Sequence, residues 1–349
     1  MRRELKQLGT AIEYSENAPV TLSLPRIHPT RKFQLRLKLS IANTTLATGQ
    51  TYGTAVTDSP ANIIQRIDLR VVGAGKSQNI KSLSARDILK HAQFNIKGLQ
   101  ENVDNCPSGT TSVSAGTTIS YGSYDLDFSI PESADLGVLT NDPNTGVRLD
   151  KPLHYKPKDQ TILDPRLYDP VELVITWGSL SSIRTGSTAG VLTITAASTE
   201  ITVWSEDAPE NIGGPWINRE IYKEETWTGA NTDLRIDLPE GNLIRKIMIR
   251  VDDNGTLSNS ACNTVKVVKD ENIEMMNIGF NALRNENAKQ YGIPYTSLLA
   301  GYAIIDFDTD KDLQGVLDVR AVQSIRLSLD VNASTAGVIR VLVQELTGR

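Results

Sequence analysis

Asp306-Phe307-Asp308-Thr309-Asp310-Lys311-Asp312 carries a carboxylate at every second position. Oxygen ligands at that spacing could hold calcium. An EF-hand loop would also need glycine at its sixth place and glutamate at its twelfth, where Lys311 and Leu317 stand. On a strand running into a turn the same side chains would simply face water, and that is the expectation. His28, His91 and His154 lie far apart, with no Cys or His partner at ligand spacing. They are read as surface or satisfied histidines. Cys106 and Cys262 make neither a disulfide framework nor a metal motif, which suits a reducing compartment. Gly73-Ala74-Gly75 lacks the rest of a phosphate-binding loop and reads as a turn. No Gly-x-Ser-x-Gly elbow is present. Carboxylates are plentiful, but spacing singles out no pair for acid–base work. Trp177, Trp204, Trp216 and Trp227 could form a sugar platform; packing in a core or joint is the preferred reading. No catalytic, metal-binding or cofactor residue is therefore assigned, and the chain is not expected to be an enzyme.

Arg2, Arg3 and Lys6, with Leu5 and Leu8, form a basic, partly apolar start. Such a segment can face an anionic membrane, each basic residue contributing about 1 kcal/mol near the surface. A frayed terminus is the other reading. No apolar run follows, so no secretory leader is expected. Nor does any stretch reach the roughly 20 apolar residues of a membrane-spanning helix. The 349 residues include 36 Lys and Arg against 41 Asp and Glu, a net charge of −5. A protein that wraps nucleic acid by neutralising phosphates would be basic, so no specific nucleic-acid binding is expected. With 39% hydrophobic residues the chain can fill two ordinary cores or one large one.

The elements that would carry these residues are mostly strands. In Phe33-Gln34-Leu35-Arg36-Leu37-Lys38-Leu39-Ser40-Ile41 apolar and polar residues alternate without a break. On a pleated strand this buries one face and wets the other. Ile67–Val71, Leu234–Leu238 and Ile325–Val331 do the same. Turn residues separate them, which predicts an antiparallel all-β protein packed as a sandwich or barrel. Two helices interrupt the pattern. Ser84-Ala85-Arg86-Asp87 reads as a capping box before Ile88, Leu89 and Ala92. A second helix is expected near Glu271 to Tyr291, from the spacing of Ile273, Met276, Phe280 and Leu283, with Gly292 and Pro294 ending it.

Several segments recur in order. Ile63–Val71 matches Leu243–Val251; Gly122–Phe128 matches Gly301–Phe307; Gly137-Val138-Leu139 matches Gly315-Val316-Leu317; Ser187–Val191 matches Ser334–Val338. A period this long indicates a duplicated domain, because solenoid units are about 20–50 residues. The spacing shortens between the last two matches, so the first copy carries an insertion, placed at Thr140 to Asp169 by its loop composition. Ser205–Pro215 has the proline, glycine and charge of a connector. The expected layout is an N-terminal arm over 1–17, a first unit over 18–208 with the long loop at about 140–169, and a second unit over 209–349.

Two similar β-rich units, each with about eight strand-like segments and a helix, resemble the double jelly-roll major capsid proteins of tailless icosahedral, tectivirus-like viruses. The resemblance spans roughly Ala18 to Leu346 and includes Ile80–Leu89, similar to the strand-to-helix segment of such proteins. It implies two tandem jelly-roll β-barrels with short helices in loops. It further implies a major capsid protein of the virion shell, made in the host cytoplasm and assembling as pseudo-hexagonal homotrimers. Its partners would be itself, vertex or minor capsid proteins, and an internal viral membrane. Asn141, Asp142, Lys151, Lys156 and Lys158 would lie on an exterior tower loop. Arg2, Arg3 and Lys6 would face the membrane. No cofactor is implied. Two other readings stand beside this one: a two-jelly-roll protein that binds or hydrolyses carbohydrate, since fold alone does not decide function, and a viral spike, for which no shaft repeat is present.

Overall fold

The computed structural model describes residues 5–73, 76–95, 104–128, 140–141, 148–149, 161–208, 216–293, 300–309 and 315–348. The chain forms two compact units. One is built from described residues of Met1–Asp127 and Leu163–Asn211, the other from those of Phe128–Ile162 and Ile212–Arg349.

The first unit has eight principal strands: β1 (Leu5–Glu13), β2 (Pro19–Ser23), β3 (Thr30–Asn43), β4 (Ile64–Gly73), β5 (Lys76–Leu83), β6 (Gly116–Asp127), β7 (Val171–Trp177) and β8 (Glu200–Asp207). They make two antiparallel sheets, ordered β1-β8-β3-β6 and β2-β7-β4-β5. This pairing of first with eighth and second with seventh strand is the jelly-roll order. The alternation in β3 places Phe33, Leu35, Leu37, Leu39 and Ile41 inward, almost wholly buried. Ile67, Leu69, Leu173, Ile175 and Trp177 supply the equally buried inner face of the second sheet. Each such aliphatic side chain contributes about 1.5–3 kcal/mol on burial.

The second unit repeats the plan with β9 (Trp216–Trp227), β10 (Asn231–Asp237), β11 (Leu243–Asp253), β12 (Cys262–Lys269), β13 (Ile273–Gly279), β14 (Tyr302–Asp306), β15 (Ile325–Val331) and β16 (Gly337–Gly348). Its sheets run β9-β16-β11-β14 and β10-β15-β12-β13. Their inner faces share one core that includes Ile247, Ile249, Val265, Leu327 and Val341. The Trp227 indole lies over Gly337, where a β-carbon would come within 2.4 Å of the ring. That close approach requires glycine.

One helix sits after the fifth strand of each barrel. Helix α1 (Ala85–Asn95) opens on the expected capping box: the Asp87 carboxylate accepts from Ser84 N at 3.0 Å and Ser84 Oγ at 2.7 Å, and Asp87 N donates to Ser84 Oγ at 3.2 Å. Helix α2 (Phe280–Tyr291) ends at Gly292, whose φ of 63° is the left-handed cap. The Asn287 amide donates to Ile304 O and accepts from Ile304 N, both at 2.7 Å, so it stands in for a neighbouring strand on the edge of β14.

Three sequence expectations change. Ile273 and Met276 belong to strand β13, and the helix begins only at Phe280. Their helical spacing is matched equally by a bulged strand, in which Met276 pairs with Val267 but Glu274 pairs with Val268. Leu5–Glu13, read as part of an N-terminal arm, is the first strand of its barrel. Gly9, at a φ of 62°, and the register shift between Leu8 and Ile12 break the alternation that would have marked it. Lastly, the match of Ile63–Val71 with Leu243–Val251 joins unlike strands, since β4 is fourth in its barrel and β11 is third. Aliphatic residues interleaved with polar ones are common to many strands and do not identify which one. The match of Gly122–Phe128 with Gly301–Phe307 does join equivalents, the sixth strands. So does that of Ser187–Val191 with Ser334–Val338: both follow the seventh strand, the first within the connection to the eighth and the second running into the start of β16. Gly137–Leu139 lies outside the described residues.

Candidate assembly surfaces

The residues that might have done chemistry are occupied with structure. Asp308 accepts from Arg245 at 3.3 and 3.1 Å, and both side chains are essentially inaccessible. Asp306 lies 3.4 Å from the Lys246 ammonium and accepts from Tyr291 Oη at 2.8 Å. The expectation that this acidic run faces water is therefore corrected for Asp306 and Asp308. Arg245 and Lys246, next to each other on β11, bring buried positive charge that only buried carboxylates can match. Asp310 and Asp312 lie outside the described residues. Among the described residues no group of His, Cys, Asp and Glu is arranged to hold a metal ion.

The first unit holds its loops in the same way. Asp104 accepts from Arg184 Nε at 2.8 Å with both side chains wholly buried, and the guanidinium also donates to Cys106 O and Pro107 O. Buried Asp58 meets Arg86 at 2.6 Å and Lys90 at 2.7 Å, one turn apart on α1. Both cysteines are free and buried. Burial pushes the Cys106 thiol up to about 11 and the Cys262 thiol up to about 12.

The tryptophans do not form a platform. Trp177 is in the first core, edge-on to Tyr14 at 5.3 Å. Trp227 is in the second core and donates to Asn332 O. Trp204 lies on an outer face under the Arg36 guanidinium, 4.3 Å from the ring centre. Trp216 is half-buried at the start of β9. His28 borders a shallow hollow with Lys6, Ser205 and Asp207; His91 is on α1; His154 lies outside the described residues.

What remains accessible is surface suited to contact. The outer face of the first sheet carries a charge ladder: Lys32 lies 2.7 Å from Asp125 and 3.9 Å from Glu206, and Lys38 lies 3.6 Å from Glu200. Apolar side chains are exposed on three edge strands: Ile119 and Tyr121 on β6, Ile273 and Met275 on β13, and Leu5 on β1. An open edge of this kind is a template for pairing with another chain. Lys6 is on β1, exposed. Arg2 and Arg3 lie outside the described residues, as do Asp142, Lys151, Lys156 and Lys158. Asn141 is in a short strand pairing with Arg148. Among the described residues no helix is long and apolar enough to cross a membrane.

Residues 219–348 match the family model described as viral coat protein P2 C-terminal domain. Over the whole chain the similar solved structures share both barrels. The STIV MCP superposes with a TM-score of 0.70 at 15% identity, covering 99% of this chain and 97% of that one. The major capsid protein P2 from bacteriophage PM2 gives 0.60 at 14%, covering 100% and 99%. The chain has the double jelly-roll fold of viral major capsid proteins. The PBCV-1 virus capsid protein shares this double jelly roll at a TM-score of 0.56 and 14% identity, over 99% of this chain and 93% of that one. No curated protein matches the sequence. At such identity the double jelly roll was legible here only as pattern: strand alternation, duplication and the placing of the helices. The buried ion pairs had one available signal, basic residues beside apolar ones in Arg245-Lys246, which alternation alone does not distinguish from a wet face.

Proposed function

We propose that this chain is a major capsid protein that tiles an icosahedral virion shell. The observation that carries the reading is the coat-protein family match over 219–348 within a chain that is a double jelly roll from end to end. Each jelly roll packs two sheets face to face into a rigid block, which is what a close-packed shell needs from its tile. The work is burial of surface between copies, and no reaction is required of it. In this reading three copies close into a pseudo-hexagonal homotrimer, so that six barrels ring each lattice site; closure after three steps requires a heterologous contact. Asn141, Asp142, Lys151, Lys156 and Lys158 belong to an exterior tower loop. Arg2, Arg3 and Lys6 face an internal membrane, and neighbouring trimers with vertex or minor capsid proteins are the other partners.

The test is the native mass of the purified full chain together with negative-stain images. The expected result is a particle near three times 38.2 kDa with a hexagonal outline. A stable monomer under native conditions overturns the trimer reading. Deleting Met1 to Leu8 is expected to abolish binding to anionic liposomes, and undiminished binding would remove the membrane role of that segment.

A further inference from the structure

The sixth strands of the two barrels occupy the same place but their free sides are treated differently. β14 is five residues long, and four of them are buried. Helix α2 closes its edge, where the Asn287 amide bonds both the N–H and the carbonyl of Ile304. β6 has twelve residues and pairs with β3 from Lys32–Asp127 to Asn43–Gly116 without a register shift. Among the described residues it has no other strand partner. Helix α1 packs against β6 as α2 packs against β14. Leu89-Lys90 and Gln93 repeat the spacing of Leu283-Arg284 and Asn287, and all six side chains are buried. Gln93 is thus the counterpart of Asn287. Yet neither polar atom of its buried amide has a hydrogen-bond partner among the described residues. The first barrel leaves uncapped the edge that the second barrel caps.

Exposed edges are normally blunted by a lysine, a proline, a bulge or a very short strand. β6 has none of these: Gly116–Asp127 holds no lysine, arginine or proline, and its ladder is long and unbroken. Thr117, Ile119, Tyr121 and Ser123 on its outward face are exposed, Ile119 to 42% and Tyr121 to 66%. Its only charges, Asp125 and Asp127, lie at the C-terminal end. Resting on the shell reading above, we propose that β6 pairs antiparallel with β6 of a second copy across a two-fold axis, each Ile119 opposite Tyr121 of the other copy. Charge selects both the occupant and the direction. Asp125 is already matched by Lys32 at 2.7 Å in its own chain, so the edge asks for no basic segment from outside. In this register Asp125 meets Ala115 and Asp127 meets Val113, so each acidic end runs past a neutral start. A parallel pair would set carboxylate beside carboxylate. A β-branched residue facing an aromatic one across two strands is a favourable pair, and the two-fold makes it twice. The contact is isologous, so it consumes both edges and leaves none to propagate into a fibre. A closed pair of this kind joins neighbouring trimers in a shell.

Cysteine cross-linking between two preparations of the full chain tests this. Cys106 and Cys262 are buried with poorly ionised thiols, so they stay silent under mild oxidation. Mixing the Ile119→Cys protein with the Tyr121→Cys protein is expected to give covalent dimers on a non-reducing gel, and either protein alone only single chains. The native mass of the unmodified protein is expected to double between dilute and concentrated samples. Tyr121→Lys, at an exposed position, is expected to weaken that doubling about tenfold and to leave the smaller species unchanged. Cross-linking of either variant by itself sets different residues across the contact and overturns the proposal. So does a mixture that gives no dimer while Tyr121→Cys resists a thiol reagent in assembled shells, because a different chain then covers the edge. A trimer whose mass never doubles and whose variants never cross-link overturns the β6 contact and leaves the trimer reading standing. A monomer that pairs through β6 does the reverse.

Discussion

Strands β3 and β11 occupy the same place, third strand and centre of the first sheet, in barrels of identical order. Their outer faces are different environments. On β3 the outward residues Lys32, Gln34, Arg36 and Lys38 are half-exposed, and their partners across the ladder are accessible too. On β11 every residue from Ile244 to Asp252 is buried, including Arg245, Lys246, Arg250 and Asp252. Each of these charges has an opposite charge in reach: Asp308, Asp306 and the Arg250–Asp252 pair at 2.7 Å. The same topological slot thus tolerates loose polar chemistry when wet and demands a matched partner when dry. The cost of removing one charge should follow environment, not strand position.

The sharpest test removes one partner from each face. Asp308→Ala leaves the buried Arg245 guanidinium without its carboxylate and is expected to cost about 3–5 kcal/mol in urea unfolding. Lys32→Ala, on the equivalent face of the first barrel, is expected to cost about 0–1 kcal/mol, because its pairs with Asp125 and Glu206 are partly solvated. Equal losses would break the comparison. Native mass at each urea concentration must be followed in parallel, since association also stabilises the folded chain.

The difference between these faces was not legible beforehand, although much else was. Phe33–Ile41 and Ile325–Val331 are strands where alternation predicts them, and the reciprocal bonds of Ser84 and Asp87 form where the motif stands. These signals are local: period two on a pleat and a three-residue capping reach. Lys246-Ile247-Met248-Ile249-Arg250 departs from the strict alternation of Lys32–Leu39 only at Met248, and burial of Lys246 and Arg250 depends on what is packed over them, which is a tertiary fact. Helix α2 does part of that, with Lys246 5.5 Å from the Tyr291 ring centre. The short open edges were hidden for the same kind of reason. β1 and β13 each carry a register shift that interrupts their period, and a strand becomes an edge only when its neighbours are known.

A second measurement uses pH. Glu345 lies buried on β16, beside β11. Burial raises its carboxyl above the usual range, against the opposing pull of Asn242 at 2.8 Å and Arg219 at 2.9 Å. A carboxyl raised in the folded state binds its proton more tightly there than in the unfolded chain. Its stabilising contribution is full below the ordinary value of 4.5 and is lost as pH rises through the folded value. Glu345→Gln is therefore expected to reduce the loss of stability between pH 4.5 and neutrality, read as urea midpoints across that window. An unchanged pH slope would show that Asn242 and Arg219 already offset the burial.

The smallest expected effect marks the wet limit within the second barrel itself. Asp318 is exposed and accepts from Arg320 N at 3.0 Å, Nε at 2.9 Å and Nη2 at 2.6 Å, which holds its carboxyl down at about 2. A lowered value has the opposite sign to Glu345. The contribution is present above 3.8 and lost as pH falls through about 2. Asp318→Asn should lower the urea midpoint at pH 7 slightly, far less than Asp308→Ala because solvent screens the exposed pair, and should flatten the acid limb of the stability profile by the same small amount. A loss at neutral pH as large as that from Asp308→Ala would mean that ion-pair geometry outweighs burial, and the contrast between β3 and β11 would then need another cause.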